Sequence, residues 1–107
     1  MKLLLDECIP RSFKRYLPDR DCRTVPEAGW AGKKNGEFLS LAEASGFDVF
    51  LTIDRGIEYQ QNLTGRRIGI VLIKSKSSRL QDLLPHIPVI LTALSSAARS
   101  GRLIQIS

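Results

Sequence analysis

The fold is decided by two stretches of sequence, residues 48–54 (Asp48-Val49-Phe50-Leu51-Thr52-Ile53-Asp54) and residues 2–7 (Lys2-Leu3-Leu4-Leu5-Asp6-Glu7). Each is a short apolar run that leads to an aspartate, which is typical of a buried parallel strand. In an open α/β sheet the carboxyl ends of adjacent strands meet at one crevice, where ligands bind. Asp6 and Asp54 are therefore predicted to form a metal site or an acid/base pair, although an aspartate after a strand also serves as an ordinary turn or cap residue.

The remaining strands and helices alternate along the chain around these two stretches. Further strands are predicted at residues 22–25, 68–73 and 103–106. Helices are predicted from Pro10 to about Leu17, from an N-cap at Asn35 to Gly46, and from Leu80 to Arg99 with interruptions at Pro85 and Pro88; residues 55–62 are expected to form a short polar turn or loop. This alternation predicts one α/β domain over residues 1–107, with a mainly parallel sheet of about five strands covered on both faces.

Composition and charge exclude several classes of protein. The 107 residues are 43% hydrophobic and 25% charged, which are ordinary globular values. No apolar stretch approaches the ~20 residues of a membrane helix, and no signal-peptide pattern is present, so a cytoplasmic protein is expected. Cys8 and Cys22 lack zinc-site spacing, and His86 is the single histidine, which argues against histidine-dependent nucleophilic catalysis. The net charge of +5 favours an anionic partner such as nucleic acid.

Oxygen-bearing side chains are predicted to gather near the two aspartates. If the strands that end at Asp6 and Asp54 are adjacent, the start of the second helix brings Asn35 and Glu37 to the same edge. Carboxylate and amide oxygens suit Mg²⁺ or Mn²⁺, and such an ion could activate water for attack on a phosphodiester. Glu7 is expected to support the site as a charge at a helix N-terminus, and it would point away from Asp6 if the strand continued.

The chain resembles the small PIN-like proteins in three segments: residues 3–10 (Leu3-Leu4-Leu5-Asp6-Glu7-Cys8-Ile9-Pro10), residues 35–43 and residues 47–54. These proteins are compact relatives of PIN-domain ribonucleases and are often the toxins of toxin–antitoxin pairs. The resemblance spans nearly the whole chain, and its most specific parts are the opening LLDE…P and the T-x-D that ends at Asp54. It implies a PIN-like three-layer sandwich and a metal-dependent endoribonuclease.

The resemblance also implies roles for individual residues. The family's first-strand acid corresponds to Asp6 and its T-x-D acid to Asp54, with Thr52 as a supporting hydroxyl. Many relatives have an aspartate at the start of the middle helix, where this chain has Asn35; Glu37 is the nearest acid that could replace it. Cys8 stands where relatives commonly have asparagine.

The expected partners are RNA and a small cognate antitoxin protein, without a membrane, and a homodimer is also compatible with the sequence. The RNA-contacting surface is predicted to include six basic residues, Arg11, Lys14, Lys33, Lys34, Arg66 and Arg67. Two other functions remain open. A catalytically weak module that binds nucleic acid or a partner protein would also fit the asparagine at position 35. A phospho-receiver domain would use Asp6, Glu7, Asp54 and Lys74, but no Ser or Thr ends the fourth strand.

Overall fold

Five parallel strands form one sheet in the computed structural model of the protein. The structure describes residues 1–33, 35–59, 67–101 and 103–106; at residues 35, 36, 38, 58 and 59 it describes the backbone alone. The strands are β1 (Lys2–Leu5), β2 (Asp21–Thr24), β3 (Val49–Thr52), β4 (Gly69–Ile73) and β5 (Leu103–Ile106). Their order is β2-β1-β3-β4-β5. Each coincides with a predicted run to within one residue at either end, so the mixed α/β class with a parallel sheet is confirmed.

The central strands owe their position to their apolar sequences. Every residue of β3 and β4 is buried, as expected for strands with a neighbour on each side and cover on each face. β2 lies at the edge of the sheet and exposes Asp21 and Arg23, because an edge strand tolerates charge. The register pairs Leu5 with both Thr24 and Leu51, so β1 and its two neighbours end almost level with one another.

The helices are α1 (Asn35–Ala44), α2 (Leu80–Leu83) and α3 (Ile87–Ser100), with 3₁₀ helices at Arg11–Tyr16, Arg55–Tyr59 and Leu84–His86. The segment after Pro10 was predicted to form an ordinary helix, but it is 3₁₀ and ends at Leu17, whose φ of −123° and ψ of 59° are not helical. Leu17 precedes Pro18, and a following proline disfavours the α conformation. The polar turn predicted after Asp54 is present as far as Tyr59; its last residues, 60–62, lie outside the described ranges.

Pro88 begins a helix instead of interrupting one. It lies in the first turn of α3, where the missing N–H removes no helical hydrogen bond. α1 likewise begins at Asn35 itself and not after it. The predicted helix ends are correct: Gly46 follows α1 with φ +85°, and Gly101 ends α3 with φ +62°, a conformation that glycine adopts without strain.

Alternate residues of the strands face two separate hydrophobic cores. Leu3 and Leu5 of β1 pack in one core with Ile90 and Leu94 of α3. Residues of the opposite pleat, such as Phe50 of β3, pack in the other core with α1. The sheet is therefore covered on both faces. Within the described ranges, no helix combines the length and the apolar character of a membrane span.

β4 and α3 approach so closely that only glycine fits between them. A Cβ atom built on Gly69 would lie 2.0 Å from the backbone oxygen of Ala97. Because that oxygen belongs to the helix backbone, a side-chain rotation could not relieve the overlap. Gly69 therefore fixes the distance between the helix and the centre of the sheet.

Candidate functional site

Asp6 and Asp54 follow two adjacent strands at the point where the sheet order reverses. The chain passes from β1 outward to β2 and then returns to β3 on the other side of β1. Such a reversal opens a crevice at the carboxyl ends of the strands. Both aspartates line one cleft there, with a volume of about 510 Å³. The structure thus brings together the two residues that the sequence singled out.

Thr52 connects the two aspartates through its hydroxyl group. Its Oγ1 donates a hydrogen bond of 2.5 Å to Oδ2 of Asp6 and accepts one of 3.0 Å from the backbone N–H of Asp54. The side chain is fully buried, so water does not compete for its bond with Asp6, whereas its bond with Asp54 is only partly buried. The backbone N–H of Glu7 donates to Oδ1 of Asp6 at 2.8 Å. The Asp6 carboxylate is therefore held at both oxygens.

The environment of Asp6 opposes its negative charge. Asp6 is only 8% exposed, and this burial raises the pKa of its carboxyl group above the ordinary value. Its hydrogen bonds with Thr52 and Glu7 lower the pKa in part, whereas the nearby carboxylates of Asp54 and Glu7 raise it further. A cation in the cleft would relieve both the desolvation and the repulsion.

Asp54 also has the ordinary turn role that the sequence left open. Its Oδ1 accepts a 2.9 Å hydrogen bond from the backbone N–H of Gly56, and its backbone oxygen accepts one from Ile57. These bonds start the 3₁₀ helix Arg55–Tyr59. The side chain is nevertheless exposed to the cleft. One aspartate therefore both shapes the turn and presents a carboxylate.

Glu7 lines the cleft, so its direction differs from the one expected for a continued strand. The strand alternation that would point it away from Asp6 no longer applies, because β1 ends at Leu5 and a turn follows, closed by a hydrogen bond from Ile9 N–H to the Asp6 backbone oxygen. The exposed Glu7 lines both this cleft and a neighbouring groove of about 450 Å³ that also contains Arg11.

Glu37 is not brought into the cleft. The Lys2 ammonium donates a 2.7 Å hydrogen bond to the backbone oxygen of Ser45, which follows the end of α1. The end of α1 therefore lies near the start of β1, and the two elements run antiparallel. Glu37, in the first turn of α1, is thus at the expected end of the sheet. It is exposed there and is not among the described residues that line the cleft. The side chain of Asn35 lies outside what the structure describes. Over the described residues, no three acidic, histidine or cysteine side chains come together as a metal-binding group.

Among the described members of the predicted basic set, Arg67 lies apart from Arg11 and Lys14. Arg11 and Lys14 both pair with Glu27, Lys14 at 2.5 Å, and this bond with Lys14 lowers the pKa of Glu27 to about 2. Lys33 is exposed. Arg67 lines a hollow with Asp48 at the amino ends of the strands, opposite the cleft. Lys34 and Arg66 lie outside the described ranges.

Cys8 faces the cleft as a protonated thiol. Burial, and after it the charge of Asp6, raises the pKa of Cys8 to about 11, so the thiolate that a soft metal would require is scarce at neutral pH. Both Cys8 and Cys22 are free. The two aspartates therefore remain the donors suited to an ion, and Mg²⁺ commonly uses one or two carboxylates together with water.

Sequence reasoning missed four residues that line the cleft: Arg55, Ser75, Lys76 and Ser77. The serine-rich sequence of residues 75–78 is typical of a polar linker. Asp6 and Asp54 were identified because they follow the carboxyl ends of central strands. The segment after β4 also follows the carboxyl end of a central strand, so the same reasoning places it at the cleft. The cleft is thus lined by cations and hydroxyl groups as well as acids.

Comparison of the chain with protein-family models, with curated proteins and with solved structures finds no significant match.

Proposed function

We propose that this protein is a metal-dependent endoribonuclease with a PIN-like three-layer fold. The observation that carries the proposal is the pair of carboxylates, Asp6 and Asp54, that two adjacent strands deliver to one cleft. The Thr52 hydroxyl bonds the carboxylate of Asp6 and the backbone N–H of Asp54. Asp6 and Asp54 would hold Mg²⁺ or Mn²⁺, with water completing the coordination. When bound there, the ion would lower the pKa of a water molecule and neutralise charge on the phosphodiester.

The residues around the proposed metal would each have a separate role. Thr52 and the Glu7 backbone N–H orient Asp6, so that its carboxylate has one fixed direction. Asp54, held at one oxygen by Gly56, supplies the second carboxylate from the exposed side. Glu37 is not among the described residues that line the cleft, so the proposal assigns the metal to Asp6 and Asp54.

An RNA-cleavage assay tests this function. Wild type is expected to cleave with Mg²⁺ or Mn²⁺ and not with EDTA, whereas Asp6→Asn and Asp54→Asn, which keep the shape and remove a charge, should abolish cleavage. Asp19→Asn is the matched control: Asp19 is exposed with φ +63°, a conformation that asparagine adopts equally well. Equal cleavage by wild type and both cleft variants would refute the nuclease.

A metal titration separates binding from catalysis. Mg²⁺ or Mn²⁺ should raise the melting temperature of wild type and of Asp19→Asn, and should raise that of Asp6→Asn much less. Asn35→Asp, which restores the acid found in the PIN-like proteins, should tighten metal binding and raise cleavage. RNA binding without cleavage in any metal would identify the weak binding module instead.

We further propose that the nuclease is the cytoplasmic toxin of a toxin–antitoxin module, as the PIN-like resemblance implies. Induced expression of wild type should then arrest growth, and Asp54→Asn should not. Co-expression of a small protein encoded beside it should restore growth and co-purify with the toxin. Normal growth on expression of an active nuclease would refute the toxin role while leaving the nuclease intact.

A phospho-receiver is the second candidate, and the strand order favours it. The order β2-β1-β3-β4-β5 is that of flavodoxin-like folds, which include receiver domains. Ser75 and Lys76 also line the cleft beside Asp54, so a hydroxyl group and a lysine lie there although neither Ser nor Thr ends the fourth strand itself. Acetyl phosphate with Mg²⁺ should then add one phosphoryl group to Asp54, and Asp54→Asn should block it. No labelling would exclude this function.

A further inference from the structure

The cleft carries opposite charges from different strands. The turn after β1 contributes Asp6 and Glu7, and Asp54 follows β3. Arg55 and Lys76 contribute positive charge from the segments after β3 and β4. Since β3 lies between β1 and β4, Asp6 and Glu7 enter the cleft from one side and Lys76 from the other, with Asp54 and Arg55 between them.

The segment that carries Lys76 is held by hydrogen bonds of its neighbours. Ser75 Oγ donates to the Ser77 backbone oxygen at 2.8 Å, and Ser77 Oγ donates to Oδ2 of Asp82 at 2.5 Å. The backbone N–H of Arg79 donates to Ser77 Oγ at 3.1 Å. These hydrogen bonds hold the backbone on both sides of Lys76. They therefore set the point at the edge of the cleft from which the Lys76 side chain extends.

The ammonium group of Lys76 remains open to a ligand. Its side chain is 85% exposed, and its contact with Asp82 Oδ1 is long, at 3.9 Å. An exposed pair of this kind contributes little, about 0–1 kcal/mol, so a phosphate group could displace it at low cost. Asp82 meanwhile keeps its hydrogen bond with Ser77. The pair with Asp82 therefore leaves the charge of Lys76 available to a ligand.

We infer that Lys76 and Arg55 bind a phosphate of single-stranded RNA next to the phosphodiester held at Asp6 and Asp54, a role that rests on the proposed nuclease function. A polynucleotide has a second phosphate one nucleotide away from the one that is cleaved, and the cleft has the volume for a ligand of nucleotide size. Cations here would also offset the repulsion between the RNA and the three acidic side chains. These contacts fix the position of the backbone and carry no base specificity.

Binding of a short fluorescent single-stranded RNA tests the inference without cleavage. In the Asp54→Asn background, Lys76→Gln and Arg55→Gln should each weaken binding about fivefold to tenfold and reduce the slope of log affinity against log salt by about 0.7. Lys76→Arg, which keeps the charge, should restore both values. Arg99→Gln is the control, because Arg99 is exposed in the last turn of α3, near the opposite end of the sheet; it should change neither.

Cleavage kinetics give a second readout. In the wild-type background, Lys76→Gln should raise KM with a smaller change in kcat, since a contact remote from the cleaved bond stabilises ground and transition states alike. If wild type cleaves but Lys76→Gln and Arg55→Gln leave KM, affinity and salt slope within twofold, the inference is wrong and the nuclease stands. If wild type does not cleave but the two variants lose affinity and Arg99→Gln does not, the subsite stands without the nuclease. No RNA binding at all, or equal losses in all three variants, overturns the inference.

Discussion

Replacing Thr52 with valine should destabilise the protein by about 2.5–4 kcal/mol at pH 7. The change keeps the shape of a fully buried side chain and removes its hydroxyl. A hydrogen bond to a charged group contributes about 1.5–3 kcal/mol. The Asp54 N–H also loses its acceptor, which costs about 1 kcal/mol, at the low end of the usual range because exposed Asp54 admits water.

Urea denaturation measures this loss. With a slope of roughly 1–2 kcal/mol/M, the midpoint should fall by more than about 1 M in Thr52→Val. Thr52→Ser keeps the hydroxyl and should lose only about 1 kcal/mol for one buried methyl group. In an Asp6→Ala background, Thr52→Val should cost only about 1 kcal/mol, since the bond to the carboxylate is already gone. Equal midpoints for Thr52→Val and Thr52→Ser, or an unchanged cost in the Asp6→Ala background, would refute the connection through the hydroxyl.

Three further predictions concern other parts of the molecule. Gly69→Ala should destabilise the protein by about 3 kcal/mol or more in urea denaturation, since the added Cβ meets a helix backbone oxygen at 2.0 Å; a loss below about 1 kcal/mol would contradict the close approach. The bond with Lys14 lowers the pKa of Glu27 from 4.5 to about 2, so ionised Glu27 stabilises the fold above about pH 4.5, and this contribution is lost as the pH falls towards 2. The urea midpoint of wild type should therefore exceed that of Glu27→Gln at about pH 4.5 and above, and the difference should vanish towards about pH 2. A difference that stays constant with pH would contradict the lowered pKa. Burial raises the pKa of Cys8 to about 11. The rate of alkylation of Cys8, measured in a Cys22→Ser background, should therefore rise about tenfold per pH unit up to about pH 10, because only the thiolate reacts. A rate that levels off near about pH 9 would show an ordinary thiol pKa.

The sequence predicted those features that depend on local pattern. β3 and β4 are continuous apolar runs, and such runs are found where both faces of a strand are covered. Asp6 and Asp54 were located because the carboxyl ends of adjacent parallel strands must meet. Gly101 was identified as a helix end because its left-handed conformation favours glycine.

Features that depend on the path of the chain between elements were not predictable in this way. The sequence places Glu37 in the first turn of a helix, but its distance from the cleft depends on how α1 lies across the sheet. Glu7 was assigned to the wrong side because the residue at which β1 ends decides whether strand alternation still applies. Lys76 was overlooked because the serines around it suggested a linker, whereas their hydrogen bonds build a defined turn.

The position of β1 has a consequence for the order in which the protein can be assembled on the ribosome. β1 pairs with β2 on one side and β3 on the other, and β3 is synthesised much later in the chain. Until then the apolar residues Leu3–Leu5 have an open edge, which a chaperone or another nascent chain can occupy. Asp54, which lines the cleft, and the buried Thr52 arrive only with β3. A chain that stops short of residue 52 therefore carries Asp6 without the hydroxyl group that orients it. The site is completed only when β3 pairs with β1 and brings Thr52 to Asp6, 46 residues earlier in the chain.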